Sequence, residues 1–146
     1  MGNGIIYKCK KCNEEYDFYY GVGTLYFASR DKLEKEVKDG KYGEELKQRF
    51  EEKPSFHISA EQELYVCPNC HVPKNDFNLS VVEGDGFSDV NNIFFQYVHK
   101  CPKCKIEMIS YKLSGIDTKS TKYPKDLRCS KCNGKLKKKD GYFLWD

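Results

Sequence analysis

Short hydrophobic stretches with the alternation typical of strands recur along the chain, and four of them end in a cysteine. These four read GIIYKC, ELYVC, FFQYVHKC and DLRC. After the third, KIEMISYKL alternates imperfectly. Near the C-terminus, KLKKKDGYFLWD predicts a hairpin that turns at Asp140-Gly141, because Asp-Gly is a strong turn signal. The pattern therefore predicts a mainly β fold of short strands.

A different periodicity covers residues 31–53, DKLEKEVKDGKYGEELKQRFEEK, where apolar positions recur at helical spacing. Asp31 and Glu34 have the spacing of a capping box. Gly40 and Gly43 are expected to divide the segment into two short helices. The predicted apolar faces carry Leu33, Val37, Leu46 and Phe50. We expect an amphipathic helical insertion that covers a ribbon, with a partner-binding helix as the alternative.

All eight cysteines fall into four C-x-x-C pairs, which is the strongest chemical signal in the sequence. The pairs are Cys9/Cys12, Cys67/Cys70, Cys101/Cys104 and Cys129/Cys132. A C-x-x-C turn directs two thiolates at one metal ion, and two such turns complete a tetrahedral Cys₄ site. A disulfide framework would rarely consist of such doublets alone, and a thioredoxin-like pair requires a βαβ pattern that this chain lacks. The sequence predicts two zinc sites.

The residue after the second cysteine of such a knuckle usually has a positive φ. Here those positions hold Asn13, His71, Lys105 and Asn133. Asn and His tolerate this region better than most residues, whereas lysine fits it less well. We therefore expect His71 to have a backbone role and not to act as a fifth ligand.

The four doublets can combine into two sites in three ways, and they are separated by 54, 30 and 24 residues. Loop-closure entropy separates the arrangements by only ~1 kcal/mol. The flanking strands favour pairing of neighbours, which gives a fold of two ribbon subdomains, residues 1–92 and 93–146. The ligands of predicted site 1 are Cys9, Cys12, Cys67 and Cys70. Those of predicted site 2 are Cys101, Cys104, Cys129 and Cys132.

Two segments, YKCKKCNEEYDF and VCPNCHVPKNDF, resemble the two knuckles of rubredoxins. In the second, Lys74 and Phe77 follow C-P-x-C at similar offsets. The resemblance implies a rubredoxin-like first site in which iron is possible. With its GVGTLYF, DGKYGEE and FLWD segments, the whole chain also resembles a group of uncharacterised bacterial zinc-ribbon proteins, which implies no established activity.

Composition agrees with a small metal-stabilised α+β protein, since 39% of the 146 residues are hydrophobic and 32% are charged. No apolar run approaches the roughly 20 residues of a membrane helix, and no signal peptide is recognisable. We expect a protein without membrane contact that is located in the cytoplasm, since thiols stay reduced in that compartment. The aromatic stretch at residues 16–27 is expected to be core, with nucleobase stacking as the alternative.

Positive charge is concentrated in the C-terminal part, where residues 98–146 contain 13 Lys or Arg against 5 Asp or Glu. A basic ribbon could contact nucleic-acid phosphates. Lysines beside thiolates could equally offset their negative charge. The candidate contact residues are Lys103, Arg128, Lys131, Lys135, Lys137, Lys138 and Lys139.

The leading hypothesis is a non-catalytic binding or scaffolding module with two structural zinc ions and an unidentified protein partner. Electron transfer through iron at the first site and nucleic-acid binding are the alternatives. We do not expect an enzyme, because His57 and His99, the histidines away from a knuckle turn, have no recognisable nucleophile partner. No small-molecule substrate is indicated.

Overall fold

A computed structural model describes residues 2–84, 92–111, 126–141 and 143–145, and these contain ten strands and two helices. The strands are β1 (Gly2–Cys9), β2 (Glu15–Tyr20), β3 (Phe56–Ile58), β4 (Gln62–Val66), β5 (Pro73–Phe77), β6 (Val81–Glu83), β7 (Ile93–Phe95), β8 (Ile109–Tyr111), β9 (Leu136–Lys138) and β10 (Phe143–Trp145). The helices are α1 (Tyr26–Lys38) and α2 (Glu44–Glu51). The fold is thus mainly β with a helical part, as the hydrophobic pattern predicts.

The chain divides into two compact units whose segments alternate along the sequence. Unit 1 consists of Met1–Gly21, Gln62–Asp76 and Val98–Trp145, and unit 2 consists mainly of Val22–Glu61 and Phe77–Tyr97. The predicted boundary between residues 92 and 93 is therefore wrong. It placed together segments that are neighbours in sequence, whereas unit 1 forms from three segments that meet through long-range strand pairing.

Strand β1 organises the first sheet of unit 1, because β2 lies on one side of it and both β9 and β10 lie on the other. The register places Gly4 opposite Phe143 and Lys8 opposite Lys137. Strands β9 and β10 thus run in the same direction along β1 and do not form the hairpin predicted at Asp140-Gly141. The turn residues lie between two strands that share one partner.

The second sheet of unit 1 has the order β5-β4-β8. In it, Val66 lies opposite Ile109. The core of unit 1 combines aliphatic and aromatic side chains from both sheets with buried cysteines, and its members include Ile5, Phe18, Leu64, Leu127 and Leu136. Part of the aromatic stretch at residues 16–27 is therefore core, as expected, with Phe18 4% exposed.

Unit 2 packs α1 and α2 against a sheet with the order β3-β6-β7. Its core is apolar and includes Leu33, Val37, Leu46, Phe50, Ile58 and Val81. The helices therefore help to form the core of unit 2, whose main segments contain no cysteine, so that they are not part of a metal ribbon as the prediction had them. Gly40 and Gly43 lie between the two helices with φ of 81° and 97°, which confirms the predicted division.

The predicted capping box is wrong, because α1 begins at Tyr26 and contains Asp31 within its second turn. Glu34 instead accepts a hydrogen bond from the backbone N–H of Ile58 (3.2 Å) and lies 2.6 Å from His57 Nδ1. Neither helix in the described residues is long and apolar enough to cross a membrane.

Candidate metal centres

Four knuckles with one backbone geometry bring the cysteines of unit 1 into position. In each, the residue after the second cysteine donates its N–H to the carbonyl oxygen of the first cysteine, at 2.9–3.1 Å. That residue has a φ of 61° or 62° in every case. The four residues are Asn13, His71, Lys105 and Asn133. The predicted positive φ is confirmed at all four, including the lysine.

The knuckles combine in a nested arrangement. Centre A comprises Cys9, Cys12, Cys129 and Cys132. Centre B comprises Cys67, Cys70, Cys101 and Cys104. Within each centre the four sulfur atoms all lie within 4.8 Å of one another. The eight cysteines predicted as ligands do gather in two sets of four, but predicted sites 1 and 2, which joined neighbouring knuckles, are wrong.

Strand pairing explains this correction. Cys9, at the end of β1, lies opposite Leu136 of β9, which places the first knuckle beside the last. The pairing of β4 with β8 places the second knuckle beside the third. A signal for this arrangement exists in the sequence, because centre B joins two C-P-x-C knuckles and centre A joins two knuckles that lack the proline.

The sulfur geometry fits a tetrahedral metal ion in both centres. The Sγ–Sγ distances are 3.4 Å for Cys9–Cys132, 3.8 Å for Cys12–Cys129 and 3.6 Å for Cys70–Cys101. Four sulfurs around zinc, with bonds of about 2.3 Å, lie about 3.8 Å apart. A disulfide would need a separation of about 2.05 Å, and all eight cysteines are free thiols. Each centre could therefore hold a metal ion.

Electrostatics within centre A favour a cation. The Tyr16 hydroxyl lies 2.9 Å from Cys129 Sγ and can donate a hydrogen bond to the thiolate form of that sulfur. Burial raises the pKa of Cys129, but the Tyr16 hydroxyl and nearby backbone N–H groups outweigh this effect and lower that pKa to about 6. A backbone N–H lowers the pKa of Cys12, but burial and the neighbouring sulfurs raise it to about 12. Full deprotonation of such a cluster requires a positive ion among the sulfurs.

The backbone around centre A is closely packed against its sulfurs. A Cβ atom at Gly134 would lie 2.9 Å from Cys9 Sγ, 3.2 Å from Cys132 Sγ and 2.7 Å from Lys11 Cβ. The corresponding position of the third knuckle holds Ile106, whose carbonyl accepts the same kind of hydrogen bond from the first cysteine. Glycine at 134 is thus required by the neighbouring knuckle of the same centre.

Centre B is supported by a similar set of donors. Asn69 Nδ2 lies 3.3 Å from Cys104 Sγ. Burial raises the pKa of Cys67, but the backbone N–H groups of Cys70 and Asn69 outweigh it and lower the pKa to about 7. His99 is 3% exposed and stacks on Tyr65 at a ring-centroid distance of 3.8 Å. It therefore packs beside the centre and is not among its ligands.

Several of the predicted basic contact residues are engaged within unit 1. Lys131 pairs with Glu14 at 2.8 Å, and Lys135 lies 3.8 Å from Asp126. Lys103 donates to the carbonyl oxygen of Ser130 at 3.1 Å. Arg128 is exposed.

Lys137, Lys138 and Lys139 line one cleft beside centre A, together with Lys8 and Lys10. The prediction missed Lys8 and Lys10, because it assigned charge by position in the sequence, whereas β1 pairs with β9. The sequence signal for these two residues is their position on either side of Cys9, the first cysteine of the first knuckle.

The chain matches no protein-family model, and it shows significant similarity neither to a curated protein nor to a solved structure. The resemblance to a bacterial zinc-ribbon group therefore receives no support from these comparisons. The rubredoxin-like knuckles at Cys9/Cys12 and Cys67/Cys70 belong to different centres. The ligand set implied by that resemblance is therefore not formed.

Proposed function

We propose that this protein is a non-catalytic binding module held together by two structural zinc ions. The observation that carries the proposal is the assembly of all eight cysteines into two closed sets of four. Four thiolates complete the tetrahedral coordination of zinc, so that neither centre would keep a position for substrate or reactive water.

The burial of the sulfurs supports a structural role. The first cysteine of every knuckle is 0% exposed, and these residues are Cys9, Cys67, Cys101 and Cys129. Thiolate sulfur is a ligand that zinc and iron both accept, so that the choice of zinc is a part of the proposal to be tested directly. Eight reduced thiols suit a reducing compartment, which agrees with a cytoplasmic location.

Metal analysis tests the proposal. The purified full chain should contain two zinc ions, as measured by elemental analysis and native mass spectrometry. Iron in either centre after expression with both metals supplied would contradict the choice of zinc. Fewer than two tightly bound metal ions per chain would contradict the structural role.

Paired cysteine variants test the nested arrangement. Cys12→Ser/Cys132→Ser removes two ligands from centre A alone and should leave one metal ion per chain. The matched variant Cys12→Ser/Cys70→Ser removes one ligand from each centre and should weaken the binding of both ions. The reverse result would establish pairing of neighbouring knuckles.

A further inference from the structure

A cleft of about 630 Å³ opens in unit 1 beside centre A. Five lysines line it: Lys8, Lys10, Lys137, Lys138 and Lys139. They come from opposite ends of the sequence and meet because β9 pairs with β1. The cleft is thus a product of the fold, although its residues are more than 120 positions apart in the chain.

The strand register places like charges directly opposite each other. Lys8 faces Lys137 across the β1–β9 pair, and both are exposed. Like charges at directly opposed positions destabilise a sheet. An anion bound between them would convert this repulsion into attraction.

Carboxylates of unit 1 offset the positive charge of the cleft only in part, because Asp140 is the one acidic residue among its lining residues and Glu15 lies opposite Lys8 on β2. Lys139 pairs with Glu15 at 2.8 Å, and Lys8 helps to lower the pKa of the same carboxyl group. Among the residues that the structure describes, neither Lys10 nor Lys137 has a carboxylate oxygen within 4.0 Å. Two of the five ammonium groups therefore remain available to an external anion.

Compensation of thiolate charge explains lysines beside a centre but not the gathering of five of them around one cleft. Each centre would carry a net charge of about −2 with a divalent ion. Centre B has the same four thiolates, yet Lys74 beside it pairs with Asp76 at 3.1 Å and Lys103 donates to the Ser130 carbonyl. Lys100 and Lys105 also flank the third knuckle of centre B, so that lysines accompany both centres, whereas the pairing of β1 with β9 gathers five lysines around one cleft beside centre A.

The lining indicates the chemistry of the ligand. Apart from Cys9, the residues that line the cleft are polar or charged. Protein–protein interfaces have an apolar centre, whereas nucleic-acid backbones are bound by cations. Glu15 and Asp17 on the adjacent strand β2 border the lysines, so that the basic strip is about one strand pair wide.

We propose that this cleft binds single-stranded nucleic acid through its phosphate groups. No aromatic side chain on which a base could stack is among the lining residues, so that binding would rest on phosphate contacts and would not depend on the base sequence. The inference rests on the proposed zinc-bound fold, because centre A holds the first and last knuckles together.

The test uses the full zinc-loaded chain and a fluorescent uridine oligomer of about 20 nucleotides, with anisotropy measured between about 50 and 200 mM salt. Affinity should fall with salt at about 0.7 logarithmic units per phosphate contacted. Lys10→Gln/Lys137→Gln should weaken binding about tenfold at the lowest salt and reduce the slope by about 1.4. Lys32→Gln/Lys35→Gln, which changes net charge equally on α1, should bind as the unchanged protein does.

Other outcomes would overturn the inference. Equal weakening in both double variants would show that net charge alone acts. Binding of polyglutamate as tight as that of the oligomer would assign the cleft to acidic proteins, and equal binding of a duplex would exclude selection of a single strand. Protein that contains two zinc ions and does not bind the oligomer overturns this inference alone, whereas protein without tightly bound metal overturns the proposed function.

Discussion

The two units of the molecule reach their folded states by different means. Unit 2 contains no cysteine in Val22–Glu61 or Phe77–Tyr97, and it buries an apolar core between two helices and a sheet. Unit 1 contains all eight cysteines and buries one sulfur of every knuckle. Distant segments of one chain are thus joined by an apolar core in unit 2, and in unit 1 also by two clusters of cysteines that could each hold a metal ion.

Removal of metal should produce the largest difference in stability between the two units. A structural zinc site contributes about 10–16 kcal/mol, which matches the whole stability of a typical domain. Treatment with EDTA should therefore abolish the hydrogen-exchange protection of β1, β4, β8 and β9, while amides of α1 and α2 keep much of theirs. The measurement is exchange detected by mass spectrometry with and without chelator.

A zinc-treated sample carried through the same steps is the control. Equal loss of protection in both units would show that unit 2 depends on the metal centres, and the contrast between the units would then fail.

A core substitution in unit 2 should have the opposite pattern. Leu46 is 1% exposed, and Leu46→Ala should destabilise unit 2 by about 2–5 kcal/mol because it leaves a cavity. Both metal ions should remain bound, as measured by native mass spectrometry beside thermal unfolding. Leu25→Ala is the matched control, since Leu25 is 67% exposed and should change little. Release of metal from the Leu46 variant would contradict independent stabilisation.

Within unit 1, Gly134→Ala should distinguish the two centres. The added methyl group would contact the sulfurs of Cys9 and Cys132, and the overpacking should cost about 1–3 kcal/mol. Centre A should bind metal more weakly than centre B in competition with a chromophoric chelator. Ile106→Ala is the control, since it shortens the side chain at the equivalent position of centre B. It should leave metal binding at centre A unchanged. Equal affinities in the Gly134 variant would contradict the close packing at that position.

The smallest effect is expected from Tyr16→Phe. Loss of the hydroxyl raises the pKa of Cys129, which in the unchanged protein is lowered to about 6. Protons then compete better with metal, so that acidification should release the ion of centre A at a higher pH. The change corresponds to about 1 kcal/mol, the value of one hydrogen bond.

Tyr19→Phe provides the control for that titration, since Tyr19 packs on Phe143 and Trp145 in the same sheet. If the Tyr16 variant and the unchanged protein release metal at the same pH, the Tyr16 hydroxyl does not affect metal binding at centre A.

Features with a local physical cause could be predicted from the sequence. The positive φ after each knuckle follows from the knuckle itself, and the break between the helices follows from Gly40 and Gly43. The gathering of the eight cysteines in sets of four follows from the chemistry of C-x-x-C pairs. Each of these needs only a few consecutive residues.

Features that depend on distant pairing could not be predicted in the same way. The helix start at Tyr26 is set without a side-chain cap, and Glu34 is used at His57 instead of in a capping box. The partners of each knuckle depend on which strands pair, and loop entropy distinguishes the alternatives by only ~1 kcal/mol. The sequence feature that indicates this pairing is the proline shared by the two C-P-x-C knuckles of centre B.

The nested arrangement also orders events during synthesis of the chain. Centre B joins residues 31 positions apart at its Cys70–Cys101 contact, whereas the Cys9–Cys132 contact of centre A spans 123 positions. Contacts of long sequence separation form late, since a larger loop must close. Cys129 and Cys132 are translated near the end of the chain. Until then Cys9 and Cys12 lack the other two cysteines of centre A, so that this centre cannot form before most of the chain has been synthesised.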